Sequence, residues 1–143
     1  MKNARTVMVV AVSIALVYMA SGCAILKVGP SDEEMLKDLL STYVTSLEEG
    51  SVEKHISVYS KDFVGTNGES YDEMAGGLEE MLPMLEDWGM EISTDETETA
   101  IEGNEAEIGP IGFEFSQGGI QITLFTTKED DGCWRITGSE MQQ

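Results

Sequence analysis

The spacing of apolar residues changes at Gly89, and this change divides the chain into a helical part and a sheet part. Before Gly89, apolar residues recur every three or four positions, as in amphipathic helices. After Gly89 they alternate with polar residues, as in strands that bury one face. Because 41% of the 143 residues are hydrophobic, the chain can build a core. We therefore predict one α+β domain over residues 31–143.

Two helices are predicted at the start of this domain. Ser31 and Glu34 form a capping-box pattern, and apolar residues then repeat at helical spacing until Gly50. A second, short helix is expected from Ser51, with Val52, Ile56 and Tyr59 on its apolar side. This assignment leaves His55 off the apolar side, so we expect His55 to face solvent.

A third helix is predicted from Tyr71 to Trp88, after a short strand at Phe63–Val64 and a turn at Thr66–Gly68. Pro83 lies inside this helix. Proline lacks the backbone donor and clashes with the preceding turn, so the sequence predicts a kink or break near Leu82.

Four antiparallel strands joined by tight turns are predicted after Gly89. The turns fall at Glu102–Asn104, Gln117–Gly119 and Lys128–Gly132. Pro110 cannot donate to a strand ladder, which predicts a bulge in the second of these strands. The result is a meander with one apolar face toward the helices.

The first residues have the composition of an export signal. Lys2 and Arg5 precede an apolar run over Val7–Met19, which is shorter than the roughly 20 residues of a membrane-spanning helix. Small residues then lead directly into Cys23. This segment resembles a bacterial lipobox, although Ala20 stands where that signal usually has leucine.

The lipobox resemblance implies a signal peptide over residues 1–22, lipidation (palmitate or another acyl chain) of Cys23, and a tether over residues 23–30. Several acyl chains would then hold the protein in a bacterial envelope membrane. Ala24 follows Cys23, and by resemblance to enteric lipoproteins this favours the outer membrane, facing the periplasm, in a Gram-negative host. The alternatives are an ordinary cleaved signal or an uncleaved anchor.

The charge and the ligand-type residues exclude several classes of function. The chain has 27 acidic and 8 basic residues, for a formal net charge of −19, so a nucleic-acid partner is not expected. One His and two Cys are too few for a zinc finger or a redox-active pair. The acidic Glu129–Gly132 stretch lacks the ligand spacing of a calcium loop. We expect no metal and no cofactor.

Three segments carry a resemblance to one superfamily. They are Leu39–Val44 with Glu49–Val52, then Val58–Phe63, and finally Cys133–Ile136. In order and spacing they resemble the nuclear transport factor 2-like, or SnoaL-like, superfamily over about Ser31–Glu140. The resemblance implies a curved antiparallel sheet packed on N-terminal helices in a cone, a fold that is also called cystatin-like, with an apolar pocket inside. The candidate pocket or core residues are Tyr43, Tyr59, Phe63, Trp88, Phe113, Phe115, Leu124 and Trp134.

The resemblance leaves function open, because this superfamily includes both enzymes and non-catalytic binding domains. A catalytic member needs an inward acid or base, and the only weak candidates are Asp62 and Tyr43. We therefore favour a non-catalytic domain that binds a small apolar ligand or a protein. The alternative is a small isomerase, cyclase or hydratase acting on an apolar substrate. Thr123 and Phe125 point away from the pocket, which suggests a homodimer through the outer sheet face.

Overall fold

The computed structural model describes residues 29–143. The signal peptide predicted for residues 1–22, the lipidation site Cys23 and most of the tether lie outside the described residues. From residue 29 onward, no helix combines the length and apolarity that crossing a bilayer requires.

Three helices and one strand form the first half of the described domain, and the first two helices begin directly after Ser31 and Ser51, as predicted. Helix α1 (Asp32–Glu48) follows Ser31, and α2 (Val52–Ser57) begins after Ser51, whose hydroxyl accepts from the Lys54 amide. Strand β1 (Tyr59–Val64) comes next. Helix α3 (Tyr71–Asp87) starts at a capping box in which Ser70 and Glu73 bond each other's backbone amides.

Helix α3 continues through Pro83, so a break near Leu82, one of the two outcomes predicted there, is wrong. Pro83 is exposed, and its ring therefore removes one backbone hydrogen bond without disturbing the buried side of the helix. Leu82 and Leu85 are buried on either side of it. Their packing holds the last turn in place although proline disfavours it.

Five strands follow α3: β2 (Glu91–Ser93), β3 (Glu98–Glu102), β4 (Glu105–Phe115), β5 (Gly118–Lys128) and β6 (Trp134–Gln142). The sheet runs β1-β6-β5-β4-β2, with β3 also pairing with β4. The pairs are antiparallel except β1 with β6, which is parallel.

The sequence predicted four strands after α3, and β3 is the one that was missed. All five residues of β3 are exposed, so they show no alternation of buried and exposed positions. Only the turn at Gly103 and the pairing with β4 define this strand.

Irregularities in β4 and β6 bend the sheet over the helices. The register of β4 against β5 shifts between Ile108 and Ile111, which confirms the bulge predicted around Pro110. A second shift lies in β6, where Phe125 and Thr126 of β5 pair with Gly138 and Ile136 and leave Thr137 as the extra residue. Bulges increase local twist and bend the strand that carries them.

The core lies between the inner face of this sheet and the apolar sides of α1 and α3. The helices contribute leucines, including the fully buried Leu36 and Leu82. The sheet contributes alternate residues of its three long strands: Ala106, Ile108, Ile111, Phe113, Leu124, Trp134 and Ile136.

Asp32, in the first turn of α1, forms hydrogen bonds that connect this helix to the sheet at one end of the core. Its Oδ1 accepts from Lys128 Nζ at 2.7 Å and from Trp134 Nε1 at 2.9 Å. These two donors lower the pKa of the Asp32 carboxyl, so it is ionised at neutral pH. The contacts join α1 to β5 and β6.

Replacing Trp134 with phenylalanine tests this junction. We expect the free energy of unfolding to fall by about 1–3 kcal/mol, because one hydrogen bond to a charged group and part of a buried ring are lost. Urea unfolding would measure the change. An unchanged midpoint would show that the Asp32 contacts do not stabilise the domain.

Candidate functional site

A cavity of about 540 Å³ lies between α1, α2 and α3 on one side and the inner face of the sheet on the other. This volume falls within the range of about 300–1,000 Å³ that is typical of small-molecule sites. Leu124 and six aromatic side chains line it: Tyr43, Tyr59, Phe63, Trp88, Phe113 and Phe115. These are seven of the eight candidate pocket residues. Trp134 is buried but lies in the core near Asp32, outside the cavity lining.

Helix α3 presents one continuous stripe of residues to the cavity. Its members are spaced by three or four positions and therefore share one side of the helix. They are Met74, Gly77, Leu78, Met81, Leu85 and Trp88. The exposed fractions of Met81 and Trp88 are 38% and 48%, so these two side chains lie at the rim.

Gly77 is a glycine within this stripe, and it is exposed. A Cβ atom placed there would meet no heavy atom within 4 Å. Glycine in a helix interior destabilises by roughly 0.5–1 kcal/mol relative to alanine. A residue with a side chain would favour the helix and would stand at the mouth of the cavity.

A chain of hydrogen-bonded polar groups lies at the buried side of the cavity. Ser46 Oγ donates to the Tyr43 carbonyl at 2.8 Å, so it accepts from His55 Nδ1, also at 2.8 Å. This places the ring proton of His55 on Nδ1, and Nε2 accepts from the Tyr59 hydroxyl at 3.3 Å. The rings of Tyr43 and His55 are 4.9 Å apart.

Burial keeps this polar chain uncharged. Desolvation lowers the pKa of His55 to about 4 and raises the pKa of Tyr43 to about 12. His55 is therefore a neutral, fully bonded side chain. The expectation that His55 faces solvent is wrong, since only 2% of the residue is exposed.

Two carboxylates line the cavity at the β1–α3 connection. Glu69 accepts from the backbone amide and the side-chain amide of Asn67 at 3.0 and 3.1 Å. Glu73 accepts from the backbone amide and the hydroxyl of Ser70 at 2.9 and 2.8 Å. These donors lower both carboxyl pKa values, so both groups are ionised at neutral pH.

Asp62 is not brought to the cavity. It is exposed on β1, next to a separate surface groove that Lys61 and Arg135 also line. Its backbone amide donates to the hydroxyl of Ser60 at 3.1 Å. Of the two weak catalytic candidates, only Tyr43 lies in the cavity.

Arg135 of β6 binds two acidic residues of the turn that precedes this strand. Its guanidinium bonds Glu129 and also Asp131, which holds the pKa of Asp131 at about 2. Among residues 29–143, no group of three or more His, Cys, Asp and Glu side chains is arranged to hold a metal ion.

The outer sheet face carries Phe125, as predicted from the alternation in β5. Phe125 is half-buried and faces the position of a Gly138 Cβ at 3.5 Å. Glu107 lies directly opposite on β4, and Glu105 is paired with Thr127. A homodimer through this face stays a prediction. These carboxylates would repel each other across the dimer interface, and salt screens that repulsion, so the homodimer should be stronger at high salt.

The sequence did not predict the site positions of Ser46, His55, Gly77 and the two glutamates. Tyr59, expected on the apolar side of α2, is the first residue of β1 instead. Without it, Val52 pairs equally well with His55 three residues on or with Ile56 four residues on, so two sides of this six-residue helix fitted the spacing. Gly77 carried a signal in its position within a helical pattern, since glycine there needs a packing or functional reason. Nothing in the spacing marks Glu69, because the turn alone brings it to the cavity.

The sequence matches no protein-family model and none of the curated proteins. Solved structures do resemble it. A nuclear transport factor 2-like protein of unknown function from Pseudomonas putida KT2440 is 12% identical, with a TM-score of 0.64 over 75% of this chain and 82% of that chain. A candidate ketosteroid isomerase from Shewanella frigidimarina is 18% identical, with a TM-score of 0.62 over 73% of this chain and 92% of that chain.

A third structure, from Nostoc punctiforme, is a protein of unknown function with a cystatin-like fold. It is 16% identical, with a TM-score of 0.59 over 77% of this chain and 89% of that chain. The shared features are the helices, the bent sheet and their order along the chain. The described domain therefore has the nuclear transport factor 2-like, α+β fold that its helix and strand motifs predicted.

Proposed function

We propose that the domain is a non-catalytic binding module for a small apolar ligand, carried by a lipid-anchored protein of the bacterial envelope. The observation that carries this proposal is the cavity itself. It is large enough for a small molecule, and its lining is mostly apolar and aromatic. Open space of this kind is otherwise filled in a well-packed core.

The absence of catalysis is inferred from the polar groups that line the cavity. A general base would need a carboxyl with a raised pKa or an imidazole free to accept a proton. Glu69 and Glu73 have lowered pKa values instead, and both ring nitrogens of His55 are hydrogen-bonded. Tyr43 is held neutral by its raised pKa. These groups can position a ligand, but none is poised to take a proton from it.

A neutral fluorescent probe tests the binding proposal. We expect N-phenyl-1-naphthylamine to bind the full chain carrying Cys23→Ser, purified without detergent, with one site per molecule. Its fluorescence should rise and saturate because the probe leaves water for an apolar cavity. The titration contradicts the proposal if the fluorescence stays at its value in buffer.

The lipid anchor is tested by Cys23→Ser in the native host or a close relative. The wild-type protein should incorporate labelled palmitate, and the variant should not, because Cys23 would carry the acyl chains. Processing of the wild type should also stop when lipoprotein signal peptidase is inhibited. Equal labelling of both chains, or labelling of neither, would overturn the anchor.

A further inference from the structure

The charged groups of the cavity lining all have one sign. Glu69 and Glu73 are the ionised side chains among the described lining residues, and no Lys or Arg lies among them. His55 is neutral. An anionic ligand head would therefore meet two carboxylates with no compensating cation.

The Glu69 carboxylate and the Phe63 ring both lie close to Gly65. A Cβ atom at Gly65 would meet Phe63 Cε1 at 3.4 Å and would overlap the Glu69 carboxylate, so glycine leaves room for both groups at this end of the cavity. The Phe63 ring packs edge-on against Tyr59, with ring centroids 4.9 Å apart. Carboxylates attract an organic cation by charge, and aromatic faces attract it by cation–π contact.

The apolar stripe of α3 leads away from these carboxylates. Glu73 lies in the first turn of α3 and Trp88 follows its last turn, so at 1.5 Å per residue they are about 22 Å apart along the helix. Met74, Leu78, Met81 and Leu85 lie between them on the cavity side. This length suits an extended alkyl chain of ten or more carbons.

We propose that the cavity selects amphiphiles with a positively charged head, which the Glu69 and Glu73 end holds while the apolar tail lies along α3 toward Trp88. This proposal rests on the proposed function, because it names the ligand class of the same cavity. The carboxylates already bond Asn67 and Ser70, so they are fixed in position before the head group arrives.

Three probes with the same tail separate the head groups. Isothermal titration of the full Cys23→Ser chain would use decyltrimethylammonium, decanol and decanoate below their aggregation limits. We expect decyltrimethylammonium to bind at least ten-fold more tightly than decanoate, with decanol between them. The preference should weaken strongly at high salt, because Glu73 is exposed and Glu69 is only half-buried, so salt screens both carboxylates.

Two matched double variants separate the effect of the cavity carboxylates from the effect of the net charge of the protein. Glu69→Gln/Glu73→Gln should remove most of the cation preference, and glutamine can still serve in the capping box of α3. Glu79→Gln/Glu80→Gln removes the same charge from exposed positions of α3 outside the lining and should keep the preference. Thermal unfolding would confirm that both variants are folded.

Each outcome decides between the two proposals. If the three probes bind equally, or if both double variants lose the preference alike, the cation proposal is overturned and the apolar site remains. If none of the probes binds and N-phenyl-1-naphthylamine also fails to bind, the proposed function is overturned with it.

Discussion

Replacing Gly77 with leucine is expected to abolish binding of N-phenyl-1-naphthylamine while making the domain more stable. Gly77 is an exposed residue of the cavity lining with no heavy atom near a built Cβ, so the new side chain would stand in the mouth of the cavity and obstruct the ligand. The free energy of unfolding should rise by about 0.5–1 kcal/mol, because leucine favours a helix over glycine. Urea unfolding and probe titration on the same sample would measure both effects.

Gly76 provides the matched control for this variant. It is the neighbouring residue of α3, it also has no heavy atom within 4 Å of a built Cβ, and it lies outside the cavity lining. Gly76→Leu should stabilise the helix by a similar amount and leave probe binding unchanged. Loss of binding in both variants, or in neither, would contradict the role given to Gly77.

The second large effect is a loss of stability in mild acid that His55 causes. Its pKa is about 4 in the folded domain and near 6.5 in the unfolded chain, because burial disfavours the charged ring. Below pH 6.5 the unfolded chain therefore binds more protons. Above pH 6.5 His55 makes its full contribution to the free energy of unfolding. As the pH drops from 6.5 to 4, this contribution should fall by about 3 kcal/mol.

The comparison with His55→Asn isolates this contribution from the titration of the carboxylates. The variant should be less stable at pH 7.5, where it lacks the ring that bonds Ser46 and Tyr59, and the difference should shrink toward pH 4. Because His55 is the one histidine of the chain, its ring signal in a proton NMR titration gives the folded pKa directly. A midpoint near pH 6.5 would refute the buried, neutral imidazole.

The arrangement of the helices and the long strands follows from the sequence because it rests on burial. Each long element has one apolar side, and its ends carry local signals such as Ser70 with Glu73 or the turn at Gly103. Spacing therefore predicted α1, α3 and the long strands, and the Ser31 cap and the turns predicted some of their ends. Strand β3 was missed because all of its residues are exposed, and the parallel pairing of β1 with β6 was missed because it depends on tertiary contact.

The aromatic lining of the cavity was also predictable, since lining residues share the apolar faces that form the core. Trp134 shows the limit of that inference. Its spacing fits the inner face of the sheet, but Asp32 lies at its indole nitrogen and fixes it in the core. The polar groups were not predictable either, because Ser46 and His55 meet only when α1 and α2 pack together.

Native mass spectrometry tests the central claim most directly, namely that the cavity holds a small apolar molecule. The full chain with Cys23→Ser would be purified from a native-like host without detergent, alongside the same chain carrying Gly77→Leu. We predict that the first chain retains a small molecule of defined mass, removable with organic solvent, and that the second retains none. A bare mass for the first chain, even when lipid extracts are added back, would contradict the account.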